Sequence, residues 1–321
     1  MKISIVIRTF NEERFLKYLL SGLQKQTIKD IEVIVVDSGS TDQTVEIARG
    51  FGARIIEIKP EEFSFGRSLN RGIEAASNEL VVIASAHVFP VFPDWVESLT
   101  KPFEDPAIAL TYGKQRGTSE RFTKAGIPNT TKFSEKEIFN RWFPETSNPQ
   151  QDHPFCNNAN AAIRRILWLQ QPYDETLTGL EDLAWAKGVL SQGYKIAYVA
   201  EAEIIHIHNE SPRGVFNRYK REAMAFKNLY PEAHFNIYDF ARMFLSNSFN
   251  DAWHAAKERC LFRSLPSILW FRWGQFWGTY QGYRQAVVWN WQLRQTYYYP
   301  RGTRSEPVDT RSVTPIHYDE S

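Results

Sequence analysis

The run Ile31-Glu32-Val33-Ile34-Val35-Val36-Asp37-Ser38-Gly39-Ser40-Thr41-Asp42 passes abruptly from apolar to small polar residues. So continuous an apolar run predicts a strand buried on both faces, as in a parallel sheet covered by helices. The polar half supplies turn formers and a helix start. A polar cluster is therefore expected at the carboxyl end of a buried strand. The flanking sequence repeats this plan. Upstream, residues 3–7 form a similar apolar run that ends in Arg8-Thr9-Phe10-Asn11-Glu12. Residues 13–24 then carry Phe15, Leu16, Leu19, Leu20 and Leu23 at helical spacing. Downstream, a short helix begins at Thr41-Asp42 and is stopped by Gly52. A strand over 54–58, a helix over 66–76 and a strand over 80–84 follow. Strands that alternate with helices imply crossover connections, hence an α/β fold with a mostly parallel sheet flanked by helices.

Beyond residue 100 the pattern loosens. Residues 108–113 read as a strand, and 116–155, rich in Thr, Asn, Pro and Phe, as a long excursion. Residues 155–165 are polar and tight, 180–192 helical, and 195–199 and 203–208 two short strands. After Pro212 the chain reads as helical to about residue 291, and 301–321 as a disordered tail. The expected organisation is an α/β domain over 1–211, a helical extension over 212–300 and the tail.

Composition narrows the function. A net charge of +1 over 321 residues gives no electrostatic case for nucleic acid. Two distant cysteines, Cys156 and Cys260, make neither a disulfide framework nor a Cys-based zinc site, which fits a reducing compartment. The chain enters its first strand directly from Met1-Lys2, so no signal peptide is expected. No uncharged apolar run reaches the roughly 18 residues that a membrane span needs.

In open parallel sheets ligands sit beyond the carboxyl ends of the strands. Three polar clusters fall there: Arg8 to Glu12, Asp37 to Asp42, and Ser85-Ala86-His87. One such cluster alone reads equally as a helix cap and turn; three on one rim point to a nucleotide pocket. Neither Gly-x-Gly-x-x-Gly nor a phosphate-loop Lys motif is present, which weakens dehydrogenase and NTPase readings.

The first two clusters, each with the strand before it, resemble the opening of the family 2 glycosyltransferases, enzymes of GT-A fold. Further stretches match in order. They are Phe65-Gly66-Arg67-Ser68-Leu69-Asn70-Arg71-Gly72, Tyr112-Gly113-Lys114-Gln115, Cys156 to Arg165, Gly179-Leu180-Glu181-Asp182, and His206-Ile207-His208-Asn209 with Arg218-Tyr219. The second and third of these are similar to a rhamnosyltransferase-like branch. The resemblance covers about residues 1–230. It implies that Thr9, Glu12 and Asp37 contact the donor's base and ribose, and that Arg67 and Arg71 meet its diphosphate. It also implies Asn158, Asn160 and Glu181 on the acceptor side and Asp182 as general base for an inverting transfer. The competing reading of Asp182 is a carboxylate that merely favours a helix N-terminus.

One position departs from the family. Where it carries Asp-x-Asp for Mn²⁺ or Mg²⁺, this chain has Ser85-Ala86-His87. Ser85 can bond a ribose but is a poor metal ligand. Neutral imidazole ligates transition ions and suits Mg²⁺ poorly. His206 and His208, two apart on an expected strand, share a face. With His87 they form a candidate site for a divalent metal, Mn²⁺ favoured over Mg²⁺. The alternatives are a metal-independent enzyme, with cations steadying the diphosphate, and a degenerate, inactive one.

Between Glu258 and Glu306 there is no acidic residue, while seven arginines and five of the ten tryptophans fall there. Trp270, Trp273, Trp277 and Tyr280 lie on one helical face. Basic, Trp-rich helices favour the bilayer interface. A stripe packed on the catalytic domain or in a dimer is the other reading. The leading expectation is a cytoplasmic glycosyltransferase, peripheral at the inner face of the plasma membrane. It would move a sugar such as rhamnose or another hexose from a nucleotide-sugar donor to a glycan or lipid-linked acceptor. A non-catalytic nucleotide- or sugar-binding protein is the alternative that the missing Asp-x-Asp motif raises. A nucleotidyltransferase would want a Gly-rich, Lys-containing loop, which Arg8 to Glu12 lacks.

Overall fold

A computed structural model describes residues 2–117, 131–208, 210–285 and 314–318. The first half follows the alternation read from the sequence. Strands β1 (Ile3–Thr9), β2 (Ile31–Asp37), β3 (Arg54–Glu57) and β4 (Leu80–Ser85) are joined through helices α1 (Glu13–Gln24), α2 (Thr44–Gly50) and α3 (Phe65–Ala75). The strands pair in parallel, in the order β3-β2-β1-β4. Val6, Ile34, Val36 and Ile83 pack with Leu69 and Ile73 of α3 on one face of the sheet. Ile5, Ile7, Val35 and Val82 pack with Leu16, Leu19 and Leu23 of α1 on the other. This two-sided burial is the reason β1, β2 and β4 carry apolar residues at successive positions rather than at alternate ones.

The second half of the sheet is mixed. Strands β5 (Val88–Pro90), β6 (Ile108–Arg116), β7 (Asn148–Gln151), β8 (Asn160–Arg164) and β9 (Lys195–His206) complete it, with helices α4 (Trp95–Thr100), α5 (Phe133–Trp142), α6 (Arg165–Gln170) and α7 (Glu181–Ser191). The order continues β4-β8-β6-β9-β5, and β7 pairs with β9. Two expectations change here. The stretch read as polar and tight contains β8, a central strand antiparallel to both β4 and β6. The two short strands are one, β9. Residues 200–202 continue it, with Ala200 and Ala202 buried and Glu201 outward, and the buried Glu203 carboxylate is met by Arg116 at 2.9 Å and Lys114 at 3.7 Å. The excursion holds α5 and β7, and residues 118–130 lie outside the described residues.

Three long helices follow: α8 (Pro212–Leu229), α9 (Ile237–Lys257) and α10 (Leu261–Arg284). Helix α10 lies close on α8 along Gly274, Gly278 and Gly282. A Cβ at Gly278 would stand 2.5 Å from the Phe216 carbonyl oxygen, so only glycine lets the backbones approach this far. Arg272 is buried and grips Asp251 of α9 through two bonds of 2.7 and 2.8 Å. Ile138 of α5 joins Val215, Tyr219 and Phe271 in one cluster, so the helices sit against the sheet domain.

The aromatic stripe on α10 packs partly against α9. Trp273 and Trp277 each pack edge-on to Phe240 of α9, with ring centroids 5.2 Å apart. The outward apolar side chains include Leu245, Phe249, Trp253 and Phe262, together with Trp273 of the stripe itself. Residues 286–313, with Trp289 and Trp291, lie outside the described residues. The expected tail disorder does not hold for 314–318. There Ile316 and Tyr318 are buried, the Ile316 amide donates to Val91 O at 3.0 Å, and the Tyr318 hydroxyl donates to Pro90 O at 2.8 Å. One aliphatic side chain, Ile316, and one ring, Tyr318, pack with Phe89, Val91 and Phe92 and hold this segment down. No helix among the described residues is long and apolar enough to cross a membrane.

Candidate active site

The ends of β1 and β2 are tied into one rim. Asp37, 3% exposed, accepts from the Thr9 hydroxyl at 3.0 Å, the Gly39 and Ser40 amides at 3.0 and 2.8 Å, and the Ser40 hydroxyl at 2.5 Å. These four bonds fill a carboxylate's lone-pair sites. Asp37 thus shapes the loop over which a ligand would lie. Asn11 adopts left-handed φ 53°, which Asn tolerates. Its side-chain oxygen accepts from the Thr41 amide at 2.8 Å and its own amide donates to Ser40 Oγ at 2.8 Å.

A second group stands at the start of α7. Leu180 precedes the helix at φ 58°, a strained conformation for a branched side chain. The turn presents Glu181 and Asp182 together. Asp182 accepts from the Asn158 amide at 3.1 Å and the Leu183 amide at 2.8 Å. Glu181 accepts from Arg8 at 3.2 Å and from the Asn158 side chain at 3.4 Å. Burial, with the Glu181 carboxylate adding to it, pushes the Asp182 carboxyl up to about 7, against the opposing pull of the two amides and Arg8. Burial and the same two acids hold the Cys156 thiol well above its ordinary range, so it stays a thiol.

The third group is a histidine cluster. His87 follows β4, His206 ends β9 and His208 lies just beyond. Their ligating nitrogens lie within 4.8 Å of one another. Ring centroids are 5.2 Å apart for His87 and His206 and 4.1 Å for His206 and His208. Each Nδ1 has its own oxygen partner: Glu12 for His87 at 2.7 Å, Gln115 for His206 at 2.7 Å, and Glu135 for His208 at 2.5 Å. The Nε2 of His206 is buried without a hydrogen bond. Burial, then the other two histidines and Arg218, holds His206 well below its ordinary range, hence neutral. Burial pulls His87 down, but contact with Glu12 outweighs it and leaves this ring raised.

Arg8 joins the second and third groups, since it bonds Glu181 and also acts on His87. Arg8 and Arg221 stack on the Phe65 ring at 4.8 and 4.7 Å. Arg218 is paired with Glu210 at 2.6 Å and lies 3.5 Å from Glu135. The region thus gathers a carboxyl of raised proton affinity, a nitrogen-rich cluster and three guanidinium groups. Such a set can take a proton from a hydroxyl and stabilise a phosphorylated leaving group.

The sequence pattern described as Glycosyl transferase family 2 matches residues 4–168, from β1 to α6. The chain belongs to glycosyltransferase family 2. It is similar to the O-antigen chain rhamnosyltransferase RfbN of Salmonella typhimurium, 29% identical over 222 residues, 68% of this chain and 70% of that protein. It is also similar to the O-antigen chain rhamnosyltransferase WbaN of Salmonella anatum, 30% identical over 200 residues, 62% of this chain and 63% of that one. Among solved structures, a mannosyltransferase from Pyrobaculum calidifontis, in complex with GDP-Man and Mn²⁺, shares the fold. Its TM-score is 0.55 at 17% identity, over 92% of this chain and 86% of that one. The GT-A fold class and enzyme class expected from the sequence stand.

In this family 2 glycosyltransferase the structure brings together most of the anticipated residues, not all. Thr9 meets Asp37, Glu12 meets His87 beside His206 and His208, and Asn158 meets Glu181 and Asp182. Ser85 ends β4, opposite Arg8 of β1. Asn160 does not belong to an acceptor surface. It is fully buried, accepting from Trp95 at 2.9 Å and donating to the Lys114 and Ala202 carbonyls at 3.1 and 2.8 Å. Arg67 is held by Glu175 at 2.6 Å and the Glu62 carbonyl at 3.0 Å, and the half-exposed Arg71 lies 3.7 Å from Glu74. The guanidinium groups that act on the histidines are Arg8 and Arg218 instead. Gln115 and Arg218 lay inside quoted motifs without a role. Glu135 carried no sequence signal, because its partner His208 is 73 residues away.

Proposed function

We propose that this enzyme transfers a hexose from a nucleotide-sugar donor to a hydroxyl of a glycan or lipid-linked acceptor, with inversion. The kinship with two O-antigen rhamnosyltransferases favours rhamnose. The observation that carries the reading is Asp182, a carboxylate at a helix head whose burial places its proton affinity at about 7. A base poised near the working pH combines correct ionisation with useful proton affinity. Asp182 takes the acceptor proton as its oxygen attacks the anomeric carbon from the face opposite the diphosphate. Thr9, Asp37 and Ser40 shape the base and ribose end of the donor site, where a direct bond to Asp37 exchanges for one of its internal ones. Arg8, Arg218 and Arg221 supply positive charge for the diphosphate, in place of Arg67 and Arg71. Glu181 and Asn158 hold the base in position.

The residues present fit a divalent metal. His87, His206 and His208 would hold it, since each Nδ1 is already engaged and the orphaned Nε2 of His206 is buried in the cluster. When bound, the ion would supply charge stabilisation to the leaving diphosphate. The enzyme works at the cytoplasmic face of the membrane, resting on anionic lipid through the outer face of α9 and α10. Phe249 and Phe262 are 74% and 92% exposed there, beside the exposed Lys257, Arg259 and Arg263. Apolar side chains with a basic rim match the headgroup boundary.

A donor screen by nucleotide release, with and without an acceptor polyprenyl-linked saccharide, tests this reading. The anomeric configuration of the product is read by NMR. Transfer with inversion is expected; release of nucleotide from no donor, with or without Mn²⁺, would leave only a binding protein.

A further inference from the structure

We propose that Glu12, Gln115 and Glu135 are positioning residues that orient three imidazoles into a nitrogen-only centre, which takes a first-row transition ion before any nucleotide arrives. The inference rests on the metal reading above and adds to it both the ion's class and the order of binding.

The hydrogen bonds determine the tautomers. Glu12 and Glu135 carboxylates accept only, so the Nδ1 of His87 and of His208 carry the protons. Gln115 Oε1 plays the same part for His206. The lone pair of each ring is then on Nε2, and the Nε2 of His206 is buried with no partner. Imidazoles backed by carboxylate or carbonyl oxygen are oriented and made more basic as ligands. Three rings reach this state from three separate elements: the turn after β4, the end of β9 and the residues after it. Their backing residues come from the loop before α1, from β6 and from α5.

The donor set selects the ion. Imidazole nitrogen favours Co²⁺, Ni²⁺ and Zn²⁺ and holds Mn²⁺ more weakly, whereas Mg²⁺ asks for oxygen and keeps its waters. Three protein ligands with an open position are a complete catalytic site in other metalloproteins, so no nucleotide oxygen is needed for binding. Charge agrees: the carboxylates of Glu12, Glu135 and Glu210 outnumber the guanidinium groups of Arg8 and Arg218 around the three rings, and a net negative surrounding favours a cation. Metal–nitrogen bonds of about 2.1 Å put ligand nitrogens roughly 3 to 3.5 Å apart, so nitrogens now within 4.8 Å of one another would close by at most about 1.3 to 1.8 Å.

Cobalt is the probe. Metal-free full-length protein is titrated with Co²⁺ without nucleotide, following the visible ligand-field absorption and the heat. One equivalent is expected to bind through nitrogen, and millimolar Mg²⁺ is expected not to displace it. Glu12→Ala and Glu135→Ala should weaken binding about 10- to 100-fold, with Glu→Gln at either position recovering part of the loss, and His206→Ala should abolish the absorption. Circular dichroism checks that each variant is folded. Displacement by Mg²⁺, or Glu→Ala variants that bind like the parent, would overturn the proposal. Binding of Co²⁺ only in the presence of nucleotide would overturn it while leaving the metal reading intact. No binding in either condition would overturn both.

Discussion

Replacing Asp182 with Asn tests the mechanism most directly, because the same carboxylate sets both the rate and part of the pH dependence. With its proton affinity at about 7, Asp182 is about one-tenth ionised at pH 6 and nine-tenths at pH 8. The wild-type kcat/KM should therefore fall about tenfold per pH unit on the acid side, with the limb bending near 7. Asn cannot take the proton, so the variant should lose roughly two to four orders of magnitude in turnover. Its structural cost is modest. The amide oxygen still accepts from Leu183 or Asn158, and one of the two part-buried bonds is lost, worth about 1 to 3 kcal/mol. Stability supplies an independent sign. The carboxyl is raised above its unfolded value of 3.8, so the folded state holds the proton longer. Its contribution is fully present below the unfolded value and is lost as pH rises through about 7. A permanently neutral Asn escapes that loss. The variant's Tm relative to wild type should therefore improve between pH 5 and pH 8. Turnover within tenfold of wild type, or a wild-type profile flat down to pH 5, would remove Asp182 from the proton transfer.

Glu181→Gln takes away the charge that adds to burial in raising Asp182, so the acid limb of the pH profile should move to lower pH; an unmoved limb would mean that burial alone sets it. Asp37→Ala should weaken nucleotide binding by about 1.5 to 3 kcal/mol in calorimetry and also lower Tm, because four internal bonds go with it; unchanged affinity would place the pocket elsewhere. Phe249→Glu with Phe262→Glu should release the protein from vesicles containing anionic lipid in flotation assays while nucleotide affinity holds, and retention on those vesicles would move the lipid contact off this face.

The alternation of the first hundred residues was legible in the chain because strand burial, helical spacing and turn chemistry are local properties. Apolar runs over 3–7, 31–36 and 80–84 became β1, β2 and β4 with ends shifted by at most two residues. The polar clusters at those ends could be placed on one rim from the parallel topology alone. Asp182 and the three histidines were likewise visible as residue types at motif positions. What only the tertiary structure decided were pairings between distant segments. β8 is a strand because Asn160 finds two backbone carbonyls and Trp95 in the core, partners 42 to 65 residues away. β9 runs on through residues 200–202 into Glu203, whose buried charge Arg116 and Lys114 meet. Glu12 faces a histidine 75 residues on, and Glu135 faces another 73 residues on. A polar residue's role is set by whichever group satisfies it once buried, and no local pattern encodes a partner that the chain brings in from elsewhere.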